Sequence, residues 1–337
     1  MRQALETVVS GRSLDVETAR AVMDTMMEGE ATPAQVGALV AALRTKGETV
    51  DELTGMVESM RAHATHVHLS VDAVDTCGTG GDGAGTFNIS TCAAIVAAGA
   101  GCPVAKHGNR AQSSRCGSAD VLEALGVVIS LSADDVRRCV EDAGIGFLLA
   151  PDFHPALRHV GPIRRELGIR TVFNVLGPLA NPAQVRHQLV GVSNARLAPM
   201  MAQVLQRLGH LHALVFTGPD GIDELGVAGS AQCYEVTAEG IRDFVLDPRD
   251  AGLEVASLDA VRGGDATTNA AIILAVLNGE GGPRRDAVLI NTAAVLLAAD
   301  HVTTLIDGVA RAATSIDSGA ARTALDNLVR VSHQAAA

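Results

Sequence analysis

Between Asp75 and Ala100 the chain reads DTCGTGGDGAGTFNISTCAAIVAAGA: a β-prone run ending at Asp75 or Thr76, five glycines from Gly78 to Gly85, and an alanine-rich helical stretch opening near Asn88. No other feature limits the fold as much. A glycine-rich turn between a strand and a helix brings backbone N–H groups close to an anion, and the helix adds free first-turn donors and the positive end of its dipole. Asn88, Ser90 and Thr91 stand where their side chains reach the same anion or a metal bound to it. No Gly-Lys-Ser/Thr closes the loop and the spacing is not G-x-G-x-x-G, so it is neither a Walker loop nor a dinucleotide fingerprint.

The same grammar recurs down the chain. The pattern predicts strands over Val71 to Thr76, Pro103 to Lys106, Gly146 to Ala150, Gln188 to Val192, Ala213 to Thr217 and Gln232 to Val236, separated by helical stretches. Alternation of this kind predicts an α/β fold: a large domain with a mostly parallel central sheet flanked by helices, and function at the carboxyl ends of its strands. Before it, the first 65 residues read as a small all-helical domain. Apolar residues recur at helical spacing from Leu14 to Glu28 with Gly29 beyond, Thr32-Pro33-Ala34-Gln35 is a capping box, and Thr49 with Glu52 opens another helix. The methionines of this region read as core or subunit interface.

Two further segments bear charge. In KHGNRAQSSRCGSADVLEALG, residues 106–126, Lys106, Arg110 and Arg115 lie amid Asn109, Ser113, Ser114 and Ser118, just after a predicted strand. Lysine as a point charge and arginine as a forked donor suit a ligand with several phosphate charges. In Gly221-Ile222-Asp223-Glu224-Leu225 the adjacent carboxylates suit Mg2+, which takes one or two acidic groups plus substrate oxygens and water. Between them, Arg164, Arg165 and Arg170 are candidates for gripping a carboxylate, and Pro178 could wall a flat ring, although arginines on a surface helix fit the pattern equally.

Composition narrows the classes. A net charge of -12 without a long Lys/Arg run disfavours a general nucleic-acid or anionic-membrane binder. Six cysteines without a C-x-x-C pair predict buried, reduced thiols in the cytoplasm, and the most apolar stretch, Ala287 to Ala299, is short and interrupted by Asn291 and Thr292. His63, His66 and His68 read as ordinary surface histidines rather than a metal site.

The order GTGGD, TFNIST, KHGNRA, SADVLEALG, RRELGIRTVFNVLGPLANP and GIDEL resembles the anthranilate phosphoribosyltransferase family, from the N-terminus to about Ala299. The resemblance implies 5-phosphoribosyl diphosphate as donor, anthranilate as acceptor, Mg2+ as cofactor, and no general base or nucleophile. By motif, Gly78, Gly81, Asp82, Thr86, Asn88, Ile89, Ser90 and Thr91 would bind the donor. Lys106, His107, Gly108, Asn109, Arg110, Ala111, Gln112, Ser113, Ser114 and Ser118 would complete that site. Gly78, His107, Asn109, Arg164 and Pro178 would meet the acceptor, and Ser90, Asp223 and Glu224 the metal. It further implies a homodimer joined through a helical domain of residues 1–67 with about 158–183, hinged to an α/β domain of 68–157 with about 184–337. Rival readings are a pyrimidine nucleoside phosphorylase relative, or a non-catalytic relative of the fold that binds nucleic acid.

Overall fold

The computed structural model describes residues 1–111, 114–226 and 228–336, apart from the side chain of Asp220. Four helices come first: α1 (Arg2–Val9), α2 (Val16–Met27), α3 (Pro33–Lys46) and α4 (Val50–Ala62). Their starts are fixed by side chains. Asp15 accepts from the Thr18 N–H, and Thr32 with Gln35 and Thr49 with Glu52 form reciprocal capping boxes. The apolar stripes they carry, Met23, Met26, Met27, Met56 and Met60 included, close into one core.

Strands then alternate with helices: β1 (Val74–Gly78), α5 (Ile89–Gly99), β2 (Val104–Gly108), α6 (Ser118–Ala124), α7 (Ala133–Ala143), β3 (Ile145–Leu149), α8 (Ala150–Phe153), α9 (Gly161–Leu167), α10 (Phe173–Leu179), β4 (His187–Gly191), α11 (Ala198–Arg207), β5 (His212–Thr217), β6 (Ala231–Thr237) and β7 (Gly240–Leu246). Helices α12 (Ala266–Leu277), α13 (Pro283–Ala298), α14 (Leu305–Asp317) and α15 (Ala320–Ala335) finish the chain. The strands make one sheet in the order β3-β2-β1-β4-β5-β6-β7. Its first five strands are parallel, while β6 and β7 are antiparallel.

Side chains alternate faces along each strand. On β5, Leu214 and Phe216 join the core beneath α5, α13 and α15, whereas Ala213 and Val215 join the core shared with α2, α4 and α11. Val160, Val172, Phe173, Leu176 and Leu179, from the α9 and α10 stretch, pack into that second core with the N-terminal helices. The order also reverses at β1: the chain moves outward through β2 and β3, then returns to place β4 on the other side of β1. Such a switch point leaves a crevice at the carboxyl ends of the strands.

The structure departs from the sequence pattern at three strands. β7 was not anticipated, because Arg242 and Asp243 interrupt its apolar residues; it is an edge strand whose solvent side tolerates charge. β1 runs on to Gly78, which pairs with Gly191 of β4. β2 runs on to Gly108, so His107 and Gly108 lie within the strand after Lys106 rather than in the loop beyond it.

Candidate functional site

The loops after β1, β2 and β5 meet at the switch point, where the α9 and α10 stretch covers them. They enclose one cleft of about 360 Å³. Of the anticipated residues, Gly78, Gly81, Asp82, Thr86, Asn88, Ser90, Thr91, Lys106, His107, Gly108, Asn109, Arg110, Ala111, Ser114, Ser118, Arg164, Pro178, Asp223 and Glu224 all line it. Gln112 and Ser113 lie outside the described residues. Ile89 is the exception: its side chain is buried in the core behind α5, and its N–H is taken by the Phe87 carbonyl.

The acidic loop enters the glycine loop directly. Asp223 Oδ2 accepts from the Gly80 N–H at 2.6 Å and Glu224 Oε1 from the Ser90 N–H at 3.1 Å, in the first turn of α5. A Cβ at Gly78 would overlap the Asp223 carboxylate, and one at Gly191 would overlap the Asp223 carbonyl oxygen. The paired glycines of β1 and β4 are therefore the gap through which this loop passes. Behind it, Asn291 on α13 donates to Leu225 O and accepts from Leu225 N, fixing the residue after the pair. That polar side chain in an apolar helix was the available signal for its role.

Burial pushes both carboxyls above the ordinary range; Asp82 beside Asp223, and Asp223 beside Glu224, push further by like charge. Among the described residues none of the three acids forms an ion pair, and no three His, Cys, Asp or Glu side chains form a metal cage. Two crowded carboxylates open to a cleft fit Mg2+, which completes its oxygen shell from ligand and water. His66 and His68 stack with each other, 6.2 Å between centroids, and His66 Nδ1 meets Gln184 Nε2, well away from this seat.

The extension of β2 decides what Lys106 and His107 face, since consecutive strand residues point to opposite sides. Lys106, 2% exposed, donates to Thr76 O at 2.5 Å and reaches Ser90 Oγ at 3.5 Å. His107, 6% exposed, turns toward α10, with Nδ1 at 3.2 Å from Gly177 O, and its main-chain N–H donates to Asp75 Oδ1. Gln188 bridges the other Asp75 oxygen to Pro178 O. Burial, with His154 adding a smaller effect, lowers His107 to about 3. The rings of His107 and His154 lie 5.2 Å apart, and Nε2 of each is buried without a partner among the described residues. His154 carried no sequence signal that separated it from a core histidine.

An imidazole with so low a pKa neither gains nor loses its proton across about pH 5.5 to 8. His107→Asn is accordingly expected to leave the shape of the pH–rate profile unchanged. A limb that vanishes in the variant would make His107 a titrating base.

The remaining cations differ in how much of their charge is already spoken for. Arg110 pairs with Glu123 and Asp120, and Arg115 is exposed outside the cleft lining. Asp120 also accepts from the Ala111 and Gly117 N–H groups, and Ser118 Oγ donates to Asn109 O, so the β2 loop is tied to α6. Asn88 is held at both ends of its amide, donating to Cys116 O and accepting from Asn269. Thr91 Oγ1 is buried without a partner among the described residues. Arg165 is exposed and outside the lining, and Arg170 grips carbonyl oxygens of the glycine loop rather than a carboxylate. Of the three arginines that line the cleft, Arg164 is the one whose side chain has no protein acceptor among the described residues; its guanidinium lies over the Phe173 ring, 5.1 Å from the centroid, and burial lowers its pKa.

Anion-binding loops, a cation seat and an unspent guanidinium around one crevice suit transfer of a phosphorylated sugar, and the architecture belongs to the glycosyltransferases. Residues 2–64 match a family model described as glycosyl transferase family, helical bundle domain, and residues 70–322 match the glycosyl transferase family a/b domain. The chain is 55% identical over 334 residues to the anthranilate phosphoribosyltransferase of Chloroflexus aggregans, covering 98% of each chain. The enzyme of the same name from Thermus thermophilus superposes with a TM-score of 0.93 at 43% identity over 98% of this chain and 99% of that one. The Saccharomyces cerevisiae enzyme, solved with PRPP and Mg, superposes with a TM-score of 0.91 at 28% identity over 98% and 97%. The chain belongs to the anthranilate phosphoribosyltransferase family, the phosphoribosyltransferases of tryptophan biosynthesis.

Proposed function

We propose that the cleft transfers the 5-phosphoribosyl group from 5-phosphoribosyl diphosphate to the amine of anthranilate, giving N-(5-phosphoribosyl)anthranilate and diphosphate. The observation that carries this reading is the convergence of the glycine loop, Lys106, the Asp223-Glu224 pair and Arg164 on one cleft. Full-length similarity to transferases of this name, and to a yeast structure holding PRPP and Mg, supports it over a nucleoside phosphorylase or a nucleic-acid-binding relative.

In this reading the amine lone pair forms the N–C1 bond as the bond from C1 to the diphosphate oxygen breaks, and the proton released from nitrogen passes to solvent. An arylamine is neutral at pH 7 and attacks without a strong base, so no side chain is assigned as nucleophile or general base. The work is stabilisation of negative charge on the departing diphosphate. Lys106 and the first-turn donors of α5 supply it from the chain. Ser90, Asp223 and Glu224 would hold Mg2+, which when bound supplies positive charge at the diphosphate oxygens. Apolar Phe173 and Pro178 beside His107 would receive the ring and exclude water, with Gly78 and Asn109 at the junction of the two substrates.

Arg164 would bind the anthranilate carboxylate. Loss of a charge-assisted hydrogen bond costs about 1.5–3 kcal/mol, so Arg164→Ala should raise the anthranilate KM roughly tenfold to a hundredfold at saturating donor. A variant whose donor kinetics collapse while acceptor kinetics hold would remove Arg164 from that role. Transfer itself is read by the fluorescence of the arylamine after mixing with donor and Mg2+; an unchanged emission with no diphosphate released would overturn the assignment.

The enzyme would act in the cytoplasm as a homodimer. A groove of about 540 Å³ along α1 and α2, with Val9 exposed nearby, supports assembly through the helical part. Shared packing of Val160 to Leu179 with the first four helices supports a helical unit of residues 1–67 with about 158–183, hinged to 68–157 with about 184–337.

A further inference from the structure

Arg170 lies between α9 and α10, six residues beyond Arg164, and its guanidinium reaches across the cleft to the glycine loop. Nη1 donates to Gly80 O at 2.6 Å and Nη2 to Thr79 O at 3.2 Å. No carboxylate among the described residues shares the charge. The loop is held from its other side as well: Ser193 Oγ donates to Gly80 O at 3.0 Å, and the Ser193 N–H donates to Thr79 Oγ1 at 3.0 Å. Asp223 takes the Gly80 N–H.

A trans peptide is planar, so fixing a carbonyl oxygen fixes the next N–H in the opposite direction. The contact to Thr79 O therefore aims the Gly80 N–H, which meets Asp223. The contact to Gly80 O aims the Gly81 N–H away from Arg170, and that N–H has no partner among the described residues. Gly81 has a φ of +71°, and a Cβ there would overlap Arg170 Nη1, so glycine is what lets the guanidinium sit against this peptide.

We propose that Arg170 is a positioning residue for the donor: by gripping two carbonyls it presents the Gly81 N–H to the diphosphate and locks the donor loop to the segment that carries Arg164. A guanidinium is suited to the task because its fork spans both oxygens, which the single ammonium of lysine does not. Arg170 acts on the donor through the loop and makes no direct claim on the acceptor carboxylate.

The inference rests on the transferase reading, and inorganic diphosphate separates the two in the test. Titration calorimetry with diphosphate and Mg2+, and steady-state kinetics with both substrates, are run on the wild type, Arg170→Ala and Arg170→Lys. Arg170→Ala should weaken diphosphate binding and raise the donor KM about tenfold to a hundredfold, with the anthranilate KM changing less than about threefold. Arg170→Lys should recover only part of the loss, and methylguanidinium added to Arg170→Ala should recover more than methylammonium does. Unchanged diphosphate affinity in a folded Arg170→Ala protein would overturn the proposal. So would equal rises in both KM values accompanied by a lowered melting temperature, which mark a general structural defect. Absence of turnover in the wild type would instead count against the transferase reading, with the diphosphate titrations still deciding the role of Arg170.

Discussion

Replacing Asp223 and Glu224 together by Asn and Gln is expected to cut turnover on the order of a thousandfold at millimolar Mg2+ and, without metal at neutral pH, to raise the melting temperature. The first half follows from charge: a bound metal provides several kcal/mol of transition-state stabilisation, and about 1.4 kcal/mol is tenfold in rate. The second half follows from the same carboxylates read as stability. Burial and mutual repulsion hold both above their ordinary values of 3.8 and 4.5. A carboxyl raised in the folded state binds more protons folded than unfolded across that interval, so its stabilising effect is present at acid pH and is lost as pH rises toward neutrality. The amides keep the acceptor oxygens that take the Gly80 and Ser90 N–H groups, yet remove the repulsion. Mg2+ should therefore raise the melting temperature of the wild type and leave that of the double variant unchanged. Initial rates over a Mg2+ series and thermal melts near pH 5.5 and 8 check both halves. An unaltered Mg2+ midpoint, or a variant less stable than metal-free wild type at the higher pH, would take the pair out of the metal seat.

Loop chemistry was legible in the sequence because it is local. Gly78 to Gly85 followed by a polar helix start is read from contiguous residues, as are the capping boxes at Thr32 and Thr49. Six of the seven strands were foreseen by alternation, and the seventh was hidden by the charges that an edge strand carries. What pattern could not reach was pairing across the fold. Whether Arg164 or Arg170 was free depended on which of them lay near Thr79 and Gly80, residues distant in the chain. Ending β2 two residues early concealed the fact that Lys106 and His107 face opposite ways. Asn88 read as a ligand for the anion, and it lines the cleft; what the pattern could not show is that its amide also joins Cys116 to Asn269. Asn291 interrupts an apolar run, a visible anomaly whose purpose appears only when Leu225 is placed beside it.

Lys106→Met should lower kcat by about 10²- to 10³-fold, the scale for removing one preorganised donor at developing charge. Of the cleft cations, Arg110 faces Glu123, Arg170 faces loop carbonyls and Arg164 lies over Phe173, whereas Lys106, which donates to Thr76 O, also reaches Ser90 in the first turn of α5. Its ammonium stands nearest the helix start on which a departing diphosphate would gather charge. The same ammonium also lowers the cost of burying Asp75, whose carboxyl burial otherwise pushes upward. Methionine alone therefore confounds a catalytic loss with a folding defect. Pairing it with Asp75→Asn removes the stranded carboxylate while keeping an acceptor for the His107 N–H. If Lys106 serves the leaving group, the double variant recovers much of the lost melting temperature and none of the lost kcat. Recovery of rate alongside stability would show that the ammonium matters to this enzyme only as the counterion of Asp75.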